Sequence, residues 1–147
     1  MAESTGCFKM IDKEKLENIK QKMIDVNEAQ YGHEIREKYG NGVVAASNTK
    51  LMGLTAQQYE RVQELSEQIN EKLKIACVQG DPSSELAQEI CALHKEWLGY
   101  FWSHYSKEAH LGLAQMYVND SRFKEYYDKL GVGCADFLRD ALAVFCQ

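Results

Sequence analysis

Apolar residues recur along much of this chain at intervals of three and four positions, the spacing that places side chains on one face of an α-helix. The clearest run follows residues 55–58, whose sequence TAQQ matches a capping box. The apolar face of this helix comprises Val62, Leu65, Ile69, Leu73 and Ala76. The sequence shows no alternating pattern typical of a β-strand. These patterns predict an all-α fold, a single domain of five to seven helices.

The N-terminal third of the chain is less regular. Residues 1–10 are small, polar and aperiodic, and we predict that they form a loose tail. A charged helix is predicted from Asp12, which can cap it, to Tyr39, and the glycines that follow end it. Its narrow apolar stripe comprises Leu16, Ile19, Met23 and Val26. Residues 43–54 are compatible with either a short helix or a mobile connector.

The next helix begins after Gly80, where the sequence offers three caps. Asp81 can cap it with Pro82 at the first helical position, or Ser83 or Ser84 can cap it instead. The apolar face predicted for this helix comprises Leu86, Ile90, Leu93, Trp97 and Phe101. The side chains predicted to point elsewhere are Leu98, Tyr100 and Trp102.

Three shorter helices complete the chain. Ser106 can cap a helix that brings His110 and Tyr117 to one face, and either Asn119 or Asp120 can cap the following helix. The apolar positions of these two helices include Leu113, Ala114, Phe123, Tyr126, Tyr127 and Leu130. A last helix follows Gly131, and its apolar face comprises Ala135, Leu138, Ala141, Leu142 and Phe145.

Aromatic residues are concentrated in the second half of the chain. Eleven of the fifteen lie within residues 97–145. Aromatic side chains at helical spacing mostly fill protein interiors, so one interpretation is a packed core. The other is an apolar cleft lined by rings, in which His94, His110 and tyrosine hydroxyls orient a ligand. A bundle this aromatic can fill its core and still line a cleft, and the sequence leaves both interpretations open.

Composition and charge exclude several classes of protein. The net charge is −5, whereas a protein that binds DNA or RNA directly usually carries a basic patch, so we expect no direct contact with nucleic acid. No apolar run approaches the length of a membrane span or a signal peptide, which predicts a cytoplasmic protein without membrane partners. The five cysteines are widely spaced, as expected for reduced thiols rather than a disulfide framework.

The sequence offers little for metal binding or catalysis. Cys91 and His94 are three positions apart and could share a helix face, but zinc sites need three or four converging ligands. No nucleophile motif and no phosphate-binding glycine loop occurs. The histidines and cysteines are therefore interpreted as packed or surface residues. We predict no metal, no cofactor and no catalytic residue, and expect that the chain is not an enzyme.

The C-terminal half nevertheless resembles a known family. The segments HKEWL (residues 94–98), YSKEAH (105–110) and LGLAQMYVNDSRFKEYYDKLGVGCADFLRDAL (111–142) are similar to the TipAS domain. This is the antibiotic-recognition domain of thiostrepton-induced regulators in the MerR superfamily, and albicidin-binding resistance proteins share it. The resemblance extends loosely over residues 11–147. It implies a globin-like helical fold with a deep cleft, in which the part up to about residue 54 acts as a mobile lid.

The resemblance also implies a function. It suggests binding of large hydrophobic antibiotics, thiopeptide-like or albicidin-like, as the effector-sensing domain of a MerR-type transcriptional activator. DNA would be contacted only through a helix-turn-helix domain, which this sequence does not contain. A stand-alone protein that sequesters the drug and a helical protein-interaction module are the alternatives. Both a monomer and a homodimer are compatible with the resemblance.

Residue roles follow from the positions that match the family. The resemblance assigns ligand binding to His94, Trp97, Phe101, Tyr105, His110, Leu113, Tyr117 and Phe137. Family members that trap thiopeptides covalently use a cysteine shortly before the position of His110. Residues 103–107 contain none here, so we expect reversible binding.

Overall fold

The computed structural model describes residues 13–147, and these residues form seven α-helices and no strand. The helices are α1 (Lys13–Tyr39), α2 (Asn41–Met52), α3 (Ala56–Gln79), α4 (Glu85–Leu98), α5 (Lys107–Asn119), α6 (Ser121–Asp128) and α7 (Cys134–Phe145). The all-α prediction and the range of five to seven helices are confirmed. The expected loose tail, residues 1–10, and the Asp12 cap lie outside the described residues.

Local hydrogen bonds explain where the helices begin. The Gln58 backbone N–H donates to Thr55 Oγ1 at 3.1 Å, and the Thr55 N–H donates to Gln58 Oε1 at 2.9 Å, which confirms the capping box. Of the three caps left open for α4, Ser84 is the one used, since its hydroxyl accepts from the Ala87 N–H at 3.1 Å. Ser106 caps α5, and Asp120 rather than Asn119 caps α6.

The sequence left residues 43–54 open between a short helix and a connector. In the structure, residues 43–52 belong to helix α2, which begins at Asn41 and ends at Met52. Gly40 separates α1 from α2 with a φ of 91°, a left-handed conformation that glycine adopts without steric cost. A mobile lid in this part of the chain stays a prediction. None of the helices within residues 13–147 combines the length and hydropathy of a membrane span.

The described residues form two compact units, and the first comprises those up to Gln63 together with Tyr100–Ser103. Its buried side chains include a lysine, Lys20, which is only 1% exposed. The Lys20 ammonium donates to the carbonyl oxygens of Met52 and Leu54, each at 2.7 Å, where helix α2 ends. A cation is favourable at a helix C-terminus, where backbone carbonyls lack partners within the helix.

The predicted apolar stripe of α1 is therefore only partly correct. Leu16 is buried, but Ile19 and Met23 are half-buried and Val26 is 43% exposed. Lys20 lies on the buried side of this helix, and its ammonium satisfies two backbone carbonyls to which an apolar side chain could not donate.

The second unit comprises Glu64–Gly99 and His104–Gln147 and has its own hydrophobic core. Helix α3 contributes Ile69, Leu73 and Ala76 to this core, all on the face predicted from the sequence. The remaining core positions lie on helices α4 to α7, and many are small residues that allow helix backbones to approach closely. They are Ala87, Ile90, Cys91, Ala114, Tyr117, Tyr127, Cys134, Ala135, Phe137, Leu138, Ala141 and Leu142.

The buried face of α4 differs from the predicted one. It comprises Ala87, Ile90, Cys91, His94 and Leu98. Three positions expected on this face, Leu86, Leu93 and Trp97, are only half-buried. Phe101 lies beyond the end of the helix at Leu98, so its assignment to the helix face was wrong, as was the expectation that Leu98 points elsewhere.

Candidate functional site

Four polar side chains form a continuous hydrogen-bonded chain through the second unit, which we call the buried relay: Tyr105, His110, His94 and Tyr117. The Tyr105 hydroxyl lies 2.7 Å from His110 Nδ1. His110 Nε2 lies 2.8 Å from His94 Nδ1, and His94 Nε2 lies 3.1 Å from the Tyr117 hydroxyl. Every ring nitrogen of the two histidines therefore has a hydrogen-bond partner within the relay.

Two helices and one loop position these side chains. His94 lies on the buried face of α4, three residues before the half-buried Trp97. His110 and Tyr117 are seven residues apart on α5, about two turns, which places both on one face. Tyr105 immediately precedes Ser106, whose side chain accepts from the Ala109 N–H at 3.0 Å and fixes the start of α5. The helix cap thus holds Tyr105 close to the first turn that carries His110.

Burial keeps both histidines uncharged. His94 is 1% exposed and His110 is 0% exposed. Loss of solvation, with a smaller contribution from the neighbouring His110, lowers the pKa of His94 to about 3. Loss of solvation and then the charge of Lys95 lower the pKa of His110 to about 4. The pair is therefore neutral at physiological pH, and each imidazole carries one donor and one acceptor.

Aromatic rings surround the relay. The Trp97 ring lies 5.6 Å from His94, and the Phe145 ring lies 6.2 Å from His110. Tyr117 contacts Tyr127 at 4.8 Å between ring centroids. These distances are typical of favourable aromatic pairs. The relay is therefore a line of neutral polar atoms inside an apolar, aromatic environment.

The structure brings five of the eight predicted ligand-binding residues together: His94, Trp97, Tyr105, His110 and Tyr117. Phe137 is 8% exposed and lies in the hydrophobic core, and Leu113 is half-buried against that core. Phe101 is half-buried and belongs to the first unit. A ligand-binding role for these residues stays a prediction.

Sequence analysis missed four residues that belong to this arrangement: Lys95, Tyr127, Phe145 and Cys146. The Lys95 ammonium lies 4.7 Å from the centre of the Tyr105 ring. Burial and the neighbouring Cys146 raise the pKa of Tyr105, and the Tyr127 ring lies 4.8 Å from that of Tyr117. Lys95 follows His94 directly and could have been suspected, whereas no local signal connects the other three to the relay.

Three thiols in this unit, those of Cys91, Cys134 and Cys146, are poorly suited to nucleophilic chemistry. Burial raises the pKa of Cys91 and of Cys134 to about 12, and it also raises the pKa of Cys146. Since the thiolate is the nucleophile, these side chains are unreactive at neutral pH. Within residues 13–147, no group of three or more His, Cys, Asp or Glu side chains is arranged to hold a metal ion. The arrangement is suited to hydrogen bonding and stacking.

Comparison with known proteins identifies relatives. The family model described as the TipAS antibiotic-recognition domain matches residues 31–145. The chain is 30% identical over 122 residues to the HTH-type transcriptional activator TipA of Streptomyces coelicolor, and equally to TipA of Streptomyces lividans, covering 80% of this chain and 47% of each relative. It is 24% identical over 129 residues to the HTH-type transcriptional activator mta of Bacillus subtilis, covering 85% and 49%. The chain therefore spans about half the length of these relatives. No solved structure matches it.

Proposed function

The chain belongs to the TipAS antibiotic-recognition domain family, and on this premise we propose that it binds large, mainly apolar antibiotics of the thiopeptide or albicidin type. The observation that carries the proposal is the buried relay, a line of uncharged hydrogen-bonding groups set among aromatic rings. Small-molecule sites combine a predominantly apolar lining with a few fixed polar groups that orient the ligand.

Two half-buried residues support ligand access to this region. Trp97 and Tyr105 both contact relay histidines, and both retain some exposure to solvent. A ring that is half-covered in the free protein gains further burial when an apolar ligand packs on it, and that burial favours binding. Burial raises the pKa of the Cys91 and Cys146 thiols in this region, and we propose reversible binding rather than catalysis.

We further propose that this binding serves transcriptional control, as the effector-sensing part of a MerR-type activator. The support is that TipA and mta are both named HTH-type transcriptional activators and match over most of this chain. In this role, ligand binding would shift the population of conformations that an attached DNA-binding domain senses. Sequestration of the drug without transcriptional control is the competing function. Reporter expression from a promoter bound by the full-length protein distinguishes the two.

A thermal-shift measurement with thiostrepton and albicidin tests antibiotic binding. A ligand present at 100 times its Kd stabilises a protein by about 2.7 kcal/mol, which corresponds to a rise in Tm of about 5–10 °C at this size. We expect a rise of this order with at least one of the two compounds. Trp97→Ala should weaken binding about tenfold or more, because a ring of the site is lost.

The matched control is Tyr126→Ala, which removes an aromatic ring that is 51% exposed. This variant should bind as the unsubstituted chain does. An equal loss in both variants would indicate nonspecific hydrophobic association. No shift with either compound would contradict the proposal and favour a helical protein-interaction module.

Reversibility is tested by the intact mass after incubation with thiostrepton, whose dehydroalanines accept thiolates. We expect no adduct after denaturation, because residues 103–107 contain no cysteine and burial raises the pKa of the Cys91, Cys134 and Cys146 thiols. The control is Ser103→Cys, which places a thiol at an exposed position before α5 and should give an adduct. A stable adduct of the unsubstituted chain would show that one of its own thiols is reactive.

A further inference from the structure

The two ends of the buried relay differ in their surroundings. At the outer end Cys146 lies beside Tyr105, and at the inner end the Tyr127 ring lies 4.8 Å from that of Tyr117. Tyr105 retains partial exposure, whereas Tyr117 is 3% exposed and Tyr127 is 7% exposed. The relay therefore connects a half-buried tyrosine to the interior of the second unit.

A neutral imidazole has one N–H donor and one acceptor nitrogen, so only two arrangements of protons satisfy all the hydrogen bonds of this relay. The contact between His94 Nδ1 and His110 Nε2, at 2.8 Å, needs one proton and one lone pair. If His94 donates, both histidines carry their proton on Nδ1, His110 donates to Tyr105, and Tyr117 donates to His94. If His110 donates, both carry their proton on Nε2, Tyr105 donates to His110, and His94 donates to Tyr117. The two neutral imidazoles must therefore share the same tautomer.

The arrangement determines what the Tyr105 hydroxyl offers on the side away from His110. With both protons on Nδ1, the Tyr105 oxygen accepts from His110 and its own O–H is directed outward as a donor. With both protons on Nε2, the Tyr105 O–H is used inward and its oxygen lone pairs accept from outside. The Cys146 thiol lies beside this hydroxyl, and a thiol is a weak hydrogen-bonding group that a stronger ligand group can replace.

We propose that Tyr105 is the polar anchor for an uncharged hydrogen-bonding group of the ligand, such as an amide or an azole, and that the buried relay lets it act as either donor or acceptor. This inference rests on the proposed antibiotic binding and names the ligand chemistry that the site recognises. The Lys95 ammonium, 4.7 Å from the centre of the Tyr105 ring, disfavours a cationic group there. All four groups are uncharged in both arrangements. A concerted reversal passes one proton along the relay, so it requires uptake of a proton at one terminal hydroxyl and release of a proton at the other.

Substitutions at the two ends of the relay should select opposite arrangements. A buried N–H without an acceptor is costlier than a lone pair without a donor, so each histidine avoids pointing its proton at a phenylalanine. Tyr117→Phe therefore favours protons on Nδ1 and an outward donor at Tyr105. Tyr105→Phe favours protons on Nε2. Tyr117 acts as a positioning residue, because it sets the polarity of Tyr105 through two imidazoles.

Imidazole ¹⁵N NMR of the full chain, which distinguishes the two tautomers, tests the relay without any ligand. We expect His94 and His110 to show the same ratio of the Nδ1–H to the Nε2–H tautomer. In Tyr117→Phe both rings should shift toward Nδ1–H, and in Tyr105→Phe the shift should be toward Nε2–H. Tyr126→Phe, on the exposed side of α6, should leave both unchanged. Opposite tautomers in the two rings, or a shift in only one of them, would overturn the proposal.

Two neutral probes test the anchor itself. Quinoline offers only an acceptor and indole mainly a donor, so quinoline should move both histidines toward Nδ1–H and indole toward Nε2–H. In Tyr117→Phe, indole should bind about tenfold more weakly relative to quinoline, the effect of one lost hydrogen bond. If neither probe moves the tautomer balance although thiostrepton stabilises the chain, the anchor is refuted while the proposed function stands. If the tautomers respond but no antibiotic binds, the proposed function is refuted instead.

Discussion

Acidification from about pH 8 to about pH 5 is expected to lower the free energy of unfolding by about 4 kcal/mol, although the carboxylates remain ionised over this range. The cause is the histidine pair of the buried relay. Burial lowers the pKa of His94 to about 3 and that of His110 to about 4, whereas both groups titrate near 6.5 in the unfolded chain.

The sign follows from proton uptake. Between the folded and unfolded pKa values, the unfolded chain binds protons that the folded chain cannot, so lower pH favours unfolding. Each histidine contributes about 1.4 kcal/mol for each pH unit below 6.5, and two histidines over about 1.5 units give the stated loss. Stability is fully present above about pH 7 and falls until the folded pKa values are reached.

Urea denaturation at several pH values measures this dependence. His104→Gln is the matched control, because His104 is exposed and its replacement should leave the pH profile unchanged. His110→Gln should remove about half of the pH-dependent loss while it lowers stability at neutral pH. A flat profile between about pH 8 and about pH 5 would show that the histidine pair can be protonated within the fold.

The second large effect is expected from Leu73→Ala, which should lower the free energy of unfolding by about 3 kcal/mol. Leu73 is 0% exposed, and it lies between Ile69 and Ala76 among the three α3 residues that belong to the core of the second unit. The loss combines the transfer free energy of the removed methyl groups with the cavity that the surrounding side chains fill only in part.

Ile75→Ala provides a control on the same helix, two residues further on. Ile75 is 56% exposed, so its truncation should change stability by less than about 0.5 kcal/mol. Urea denaturation at neutral pH measures the free energy of unfolding of both variants and of the unsubstituted chain. Equal effects of the two substitutions would mean that the buried face of α3 is not the one described above.

Features that depend on a few neighbouring residues were predictable. The capping box at residues 55–58, the Ser106 cap and the buried face of α3 are all encoded within one or two helical turns, and the structure confirms them. The all-α class follows from the same local periodicity. The resemblance carried by residues 94–142 also identified the family, because its motifs are read directly from the sequence.

The exact start of a helix and the face that it buries were harder to predict from the sequence. The sequence offered three caps for α4, and the structure uses Ser84. The buried face of α4 includes Cys91 and Leu98, whereas Leu93 and Trp97 are half-buried and pack against the core. Hydrophobicity alone ranks leucine and tryptophan above cysteine and does not report which face packs most closely.

The sequence by itself determined the helical class, the family and five residues that the structure brings together around the histidine pair. Only the tertiary structure showed that His94 and His110, sixteen positions apart, share a hydrogen bond, and that Tyr117 and Tyr105 complete the relay. It also showed that Lys20 reaches carbonyl oxygens more than thirty residues away. The physical reason is that helix periodicity is a local property, whereas pKa shifts and buried hydrogen bonds arise from side chains that packing brings together across the chain.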